Sequence, residues 1–531
     1  MAPSTSDVYR EPPRPNGLPI SQPNMIMFMP DQLRYDSLGC TGNPMVKTPN
    51  IDAFAARALH TKSFAKQIHT LEEETADLKF RKASVCTQSR ISMFTGKYLH
   101  TSGHRNFDNL LKPHEPNMFR SLKEGGYHVA CLAPRGDLFG PEVVELSVNE
   151  YGFIVNPDNM PGNWKSGGQA IPEDPHNIWH RLFYKGRRDV SQAFDYDEGA
   201  VRSAEAWLAD PPEGPWCLFI PLMFPHCPFW VEEPYFSMYD RAAVPRPAKL
   251  ADKTGHEPEY MAAIRSEYGT ARATDEMWAE VAATYFGMIT RLDDQFGRII
   301  SILDSTGLFS KTVTMFFSDH GEYLGDYGLI EKWPSGLSDS LVHEPLILAG
   351  AGLPVGKVVD EMAEMVDLTP TLLHLGSIGE TFAHNGKSLL PTILESRPHR
   401  EFSYSEGGFL LAEEPLLEIP KWPYDLKAGL QHTQTKVIGK AISMRDKEWT
   451  FIWRLYESCE LYSRRDDPKE VHNVAAEPQY ANIVRSREST MFRWLAETSD
   501  VLPWKRDPRF ATSKLATPAE QLEARKRRQP Q

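Results

Sequence analysis

The chain has 531 residues, 41% of them hydrophobic, which is ample for a large buried core. Its formal net charge is −13, which argues against a general nucleic-acid binder and means that any anionic substrate needs a local cationic pocket. Six widely spaced cysteines, Cys40, Cys86, Cys131, Cys217, Cys227 and Cys459, contain no C-x-x-C pair. They read as isolated thiols, not as a zinc site or a disulfide framework.

Residues 1–22 carry charges and prolines and no apolar h-region, so they read as a flexible arm and not as a secretory signal. No run of roughly 18 apolar residues exists, so no membrane span is expected and the location reads as cytoplasmic. NMIMFM predicts a buried first strand that delivers Asp31 at its carboxyl end. TPNIDAFAARAL predicts a helix with Asp52 as its cap. RISMFTGKYL reads as a helix following Cys86, and MFRSLKEGGYHVACLA as helix, Gly-Gly turn and strand. WCLFIPLMFPH is a strand running into a loop at His226. A long amphipathic helix follows and stops near Gly307. TVTMFFSDHGEYLGDYG is a strand ending in a Gly-rich loop, and LVHEPLILAG is another buried strand. Strands that are apolar on both faces and alternate with helices predict an α/β fold. Its large, mainly parallel sheet would be flanked by helices.

The texture changes near residue 400. HTQTKVIGKAI and EWTFIWRLYE read as paired strands around the turn MRDKE, followed by a helix around Phe492 to Leu495. The predicted organisation is an arm at 1–22, a catalytic domain at 23–400, a small C-terminal antiparallel sheet plus helix at 401–505, and a polar tail at 506–531.

Three polar loops follow apolar strands: Asp31-Gln32, Pro225-His226 and Asp319-His320. Strand ends in one sheet can converge in space. Asp31, Asp319 and His320, with the Gln32 carbonyl oxygen, form a mostly oxygen donor set. It suits calcium, with manganese and magnesium as alternatives, better than structural zinc. Cys86 and Arg90 lie four residues apart. A helix starting near Cys86 would turn both toward one pocket, with its amino terminus favouring an anion.

SDHGEYLGDYG with Glu331-Lys332, MPDQLRYDSLG with TPNID, CTQSR with TGKY, and ELYSRRDDPKEVHN resemble, in order, the motifs of the sulfatase family within the alkaline phosphatase-like superfamily. The resemblance spans roughly residues 24–475 and implies an alkaline phosphatase-like fold. It also implies hydrolysis of a small anionic sulfate ester, with a phosphonate monoester or phosphodiester as the nearest alternative. In that family the cysteine of a C-x-P-S-R motif is oxidised to formylglycine by a dedicated generating enzyme. The resemblance therefore makes Cys86 the nucleophile precursor and Arg90 its partner. Asp31, Gln32, Cys86, Asp319 and His320 would surround one divalent cation, and Asn106 would complete the site. His226 and Lys332 would contact the transferring group or protonate the leaving oxygen.

Three departures stand out. Gln88 replaces the motif proline that the modifying enzyme generally reads. In LAPRGDLFG, Arg135 stands for a family lysine and Asp137 for a histidine, with Asp137 placed either to orient a cationic substrate head or a base or to make a turn. Finally, Ile68–Ala83 lengthens the approach to Cys86. It reads as a surface helix, and deleting it restores family-like spacing. That points to a retained intron over a lid insertion. Gln88 and Asp137 also motivate a non-catalytic, metal-binding relative as a competing reading. Thr87 and Ser89 are not at the family nucleophile position.

Overall fold

A computed structural model of the chain describes residues 20–60, 79–81, 85–158, 171–359, 361–500 and 514–527. Its centre is a seven-stranded sheet. In spatial order the strands are Leu59–His60, Leu346–Ala349, Thr312–Phe317, Asn24–Asp31, Trp216–Pro225, His128–Cys131 and Glu150–Tyr151. The five strands from Thr312–Phe317 onward are mutually parallel. Leu346–Ala349 pairs antiparallel with Thr312–Phe317, and Leu59–His60 is antiparallel to it in turn.

Alternation along the central strand explains why its sequence is apolar throughout. Ile26 and Phe28 enter one core, while Met25, Met27 and Met29 enter the other on the opposite face. Trp216–Pro225 does the same, with Leu218, Ile220 and Leu222 on one side and Cys217 and Phe219 on the other. The helix Asp275–Ser305 covers the first face with Tyr285, Ile289, Leu292, Phe296 and Ile299. Helices Cys86–Thr95, Met118–Glu124 and Leu368–Leu375 cover the second. Both faces are buried, as expected of a doubly covered sheet.

The C-terminal sheet has four antiparallel strands in sequence order, Ser403–Gly407, Ala441–Arg445, Trp449–Arg454 and Glu460–Ser463. Helix Ala481–Thr498 packs on it through Met491 and Trp494, while Phe492 stays exposed. Residues 432–438 are not strand. They end the helix Asp425–Thr433 and form the 3-10 turn Thr435–Ile438. The hairpin begins only at Ala441. Its turn is held by Asp446, whose Oδ1 accepts the backbone N–H groups of Glu448 and Trp449 at 2.8 and 2.7 Å.

Two further expectations change. The helix Pro49–Ala56 is capped from outside, because Asp293 on the long helix accepts N–H groups from Asn50 at 3.1 Å and Ile51 at 2.7 Å. Asp52 lies inside that helix and accepts the Cys40 N–H at 2.7 Å. Within the insertion, Lys79–Arg81 is strand and not helix, pairing with His343–Glu344 and Met362–Glu364. The rest of Ile68–Ala83 lies outside the described residues, as do residues 1–19 of the arm. In the polar tail, Pro518–Lys526 forms an exposed helix capped by Thr517. All six cysteines are free thiols. Among the described residues, no helix is long and apolar enough to cross a membrane.

Asp367 ties the approach to the C-terminal sheet onto the turn that follows strand Met362–Glu364. It is fully buried and accepts from Arg400 Nε at 2.9 Å, His399 Nε2 at 2.9 Å and the backbone N–H groups of Glu364 and Lys387 at 2.9 and 2.7 Å. Burial alone would raise its carboxyl, but Arg400 and the His399 hydrogen bond outweigh that and hold it well below the usual carboxylate range. Asp367→Asn removes the hydrogen-bonded charge facing Arg400 and His399 and leaves Arg400 with Glu364 at 3.2 Å, so the unfolding free energy falls by roughly 1.5–3 kcal/mol, read from the urea midpoint. The folded-state pKa is depressed, so this contribution is complete above about pH 4 and is lost as pH falls further. The variant should therefore show a shallower acid limb, and an unchanged midpoint would contradict the assignment.

Candidate active site

The carboxyl ends of the central strands bring the predicted residues together. Asp31 ends Asn24–Asp31, Asp319 and His320 follow Thr312–Phe317, and His226 follows Trp216–Pro225. The last strand end is pinned by Asp197, which accepts the N–H groups of Met223 and Phe224 at 2.6 and 2.9 Å. Cys86 is the first residue of Cys86–Thr95, so the unpaired N–H groups of that helix start lie beside it. The helix stops at Gly96, whose φ of +64° admits glycine most easily. Gly321 is required for space, because a Cβ there would lie 2.0 Å from the Ser340 carbonyl oxygen.

Ligating atoms of Asp31, Cys86, Asp319 and His320 all lie within 4.8 Å of one another. Cys86 Sγ is 3.1 Å from His320 Nε2 and 3.6 Å from Asp31 Oδ1. His320 Nδ1 faces the Gly321 carbonyl oxygen at 2.9 Å and so must donate to it. That leaves the Nε2 lone pair turned toward Asp31 Oδ1, 3.4 Å away. Burial lowers the His320 imidazolium to about 4, so the ring is neutral and suited to a metal. An imidazole lone pair and a carboxylate oxygen converging in a buried site are the donors a divalent cation requires. These residues form a buried site capable of coordinating one.

Arg90 bridges the two carboxylates. Its Nε donates to Asp319 Oδ2 at 2.8 Å, Nη2 to Asp31 Oδ2 at 2.9 Å and Nη1 to Asp137 Oδ1 at 2.9 Å. Arg135 Nη2 donates to Asp137 Oδ2 at 2.9 Å and also reaches Asp31 Oδ2. Asp137 is therefore committed to two guanidinium groups. Burial opposes the Asp31 charge, but the cationic groups around it, with Arg135 and Arg90 in direct contact, hold its carboxyl below the usual range. Burial and the Asp31 carboxylate push the Cys86 thiol up.

The opposite wall is basic. Lys332 Nζ donates to Gln32 Oε1 at 2.6 Å and to His226 Nε2 at 2.8 Å. His226 Nδ1 is turned to the Cys227 carbonyl oxygen at 2.6 Å, which leaves Nε2 as the acceptor. The Gln32 oxygen thus meets Lys332, not the four-atom cluster, and its amide donates to Glu322. Asn106 Oδ1 accepts the backbone N–H groups of Asp108 and Asn109 at 3.1 and 2.7 Å, the pattern of a local turn. Ser89 Oγ donates to the Asp319 carbonyl oxygen at 2.6 Å, a supporting position. Sequence reasoning missed Glu322, visible as the acid of DHGEY, and Lys427, whose Nζ reaches Glu331 Oε2 at 2.7 Å from the C-terminal region with no motif to mark it.

The family model "Sulfatase" matches residues 23–378. The chain belongs to the sulfatase family. It is 25% identical to the multifunctional alkaline phosphatase superfamily protein PehA of Trinickia caryophylli, over 91% of this chain and 96% of that one. It is also 25% identical to an arylsulfatase of Clostridium perfringens, over 86% and 91% of the two chains. Its fold is similar to that of the phosphonate monoester hydrolase of Agrobacterium radiobacter, with a TM-score of 0.67, 22% identity and coverage of 90% and 96%. Against the sulfatase pattern, Gln88 is the telling position. It lies in the first turn of its helix, where an N–H needs no intrahelical partner. Exchange of proline for glutamine there changes the side chain, which donates to the Arg105 carbonyl oxygen, more than the backbone bonding.

Calcium at about 100 times its dissociation constant should stabilise the protein by about 2.7 kcal/mol, read as a rise in melting temperature reversed by EDTA. Asp319→Ala should abolish that rise. Identical melting with and without divalent cations would contradict the cation site.

Proposed function

We propose that this sulfatase-family hydrolase cleaves a sulfate monoester of a small anionic substrate through a formylglycine derived from Cys86. The observation that carries the reading is the position of Cys86 at a helix start, against the Asp31, Asp319 and His320 donors. Asp31, Asp319 and His320 would hold one divalent cation, calcium before manganese or magnesium because most donors are oxygens. When bound, the cation supplies positive charge to a nonbridging oxygen of the ester. Formylglycine, made by a generating enzyme that accepts Gln88, would supply the oxygen nucleophile as its hydrate.

The chain's own residues do the rest. Arg90 keeps Asp31 and Asp319 ionised and in register, and Arg135 adds charge beside them. Asp137 restrains both guanidinium groups, a role that replaces recognition of a cationic substrate head. Lys332 attracts the anionic ester and is placed to pass a proton to the leaving oxygen, while His226 Nε2, which accepts from that ammonium, holds it in position. Asn106 shapes the neighbouring turn.

A second reading, a phosphonate monoester or phosphodiester hydrolase, is favoured by the likeness in fold to the phosphonate monoester hydrolase of Agrobacterium radiobacter. Sulfate monoesters and phosphate diesters are both monoanions, so one charged wall serves either. Paired assays with an aryl sulfate and an aryl phosphonate monoester separate them. The sulfate ester should turn over faster, with EDTA and Cys86→Ala each lowering kcat/KM by roughly a thousandfold or more. Preference for the phosphonate would move the assignment to the second reading, and no turnover of either ester would favour a non-catalytic relative.

A further inference from the structure

Behind Lys332 lies a charged group that the chemistry above does not use. Glu331 adopts a left-handed backbone, φ +67°, which folds its carboxylate back over its own successor. Its Oε2 accepts the Lys332 backbone N–H at 2.6 Å and Lys427 Nζ at 2.7 Å. Its Oε1 lies 2.6 Å from Lys332 Nζ in a close ion pair, while the same ammonium also donates to Gln32 and His226. All three side chains are almost fully buried, with 3%, 1% and 3% exposure for Lys332, Glu331 and Lys427.

The charge count is decisive in a dry site. Lys332 and Glu331 alone would form a neutral pair, and a neutral pair does not draw in an anion. Lys427 makes the group net positive. It arrives from helix Asp425–Thr433, and the neighbouring segment is fastened to the Lys332 loop by Trp333 Nε1, which donates to the Val437 carbonyl oxygen at 3.2 Å. We propose that Lys427 is a positioning residue for Lys332. By binding Glu331 Oε2 it shares that carboxylate with Lys332, so that the three groups together keep a net positive charge toward a substrate oxyanion. The inference rests on the hydrolase reading for its kinetic arm and on anion binding for its independent arm.

The test measures inorganic sulfate binding by calorimetry, with steady-state kinetics and melting temperature in parallel. It uses the full-length protein and the variants Lys427→Met, Lys427→Arg and the double variant Glu331→Gln/Lys427→Met. Lys427→Met should weaken sulfate binding and lower kcat/KM by about tenfold each, the size of one charge-assisted contact. Lys427→Arg should retain both. The double variant removes the carboxylate along with its partner and should recover sulfate affinity even where its melting temperature stays low. Unchanged sulfate affinity in Lys427→Met, or no recovery in the double variant, would overturn the proposal. Sulfate binding that follows this pattern in a protein that turns over no ester would uphold the positioning role and sink the hydrolase reading instead.

Discussion

Two carboxylates, Asp31 and Asp319, are buried at the ends of adjacent parallel strands, and the Arg90 guanidinium that bridges them, together with Arg135 on Asp31, allows both to stay ionised there. Unpaired, either charge would be driven to protonate or would destabilise the fold. Arg90 can reach both only because helix Cys86–Thr95 starts at Cys86 and carries Arg90 one turn further along the same face. One helix therefore sets the place of the sulfur and of the charge that keeps its surroundings anionic.

From this constraint the site acquires two unlike walls. On one side, three carboxylates, Asp31, Asp137 and Asp319, face two guanidinium groups, Arg90 and Arg135, leaving an excess of negative charge for a cation. On the other, Lys332 and His226 meet at 2.8 Å. Cys86 lies between, in contact with His320 and with His226. A tetrahedral oxyanion would suit such a site, the acidic wall being able to hold a cation and Lys332 offering its own charge. The departures Arg135 and Asp137 are absorbed by one another and by Arg90, so they alter the acidic wall without breaking it.

Much of this was legible in the amino-acid sequence, for a physical reason. Strands buried on both faces leave continuous apolar runs, so NMIMFM, WCLFIPLMF and TVTMFF pointed directly at Asp31, His226 and Asp319-His320. The i, i+4 spacing of Cys86 and Arg90 was equally readable. What escaped depends on tertiary reach. Asp293 caps a helix more than two hundred residues away in sequence, which made Asp52 look like the cap. HTQTKVI has strand-like residues, yet it closes a helix, because its Val437 and Ile438 are buried in the main core instead of extending the hairpin. Gln32 directly follows Asp31 in sequence, but its side chain is turned to Lys332 and Glu322. Lys427 carries no local signal, since only the path of the C-terminal region brings it to Glu331.

The chemistry proposed for this site turns on the chemical state of residue 86. The most direct measurement is peptide mass spectrometry across Cys86 on protein made in its native host. Formylglycine at that position in most molecules is the predicted result, and it would establish that Gln88 is accepted in place of proline. An unmodified cysteine throughout would contradict the central claim, leaving a cation site of sulfatase form without its nucleophile.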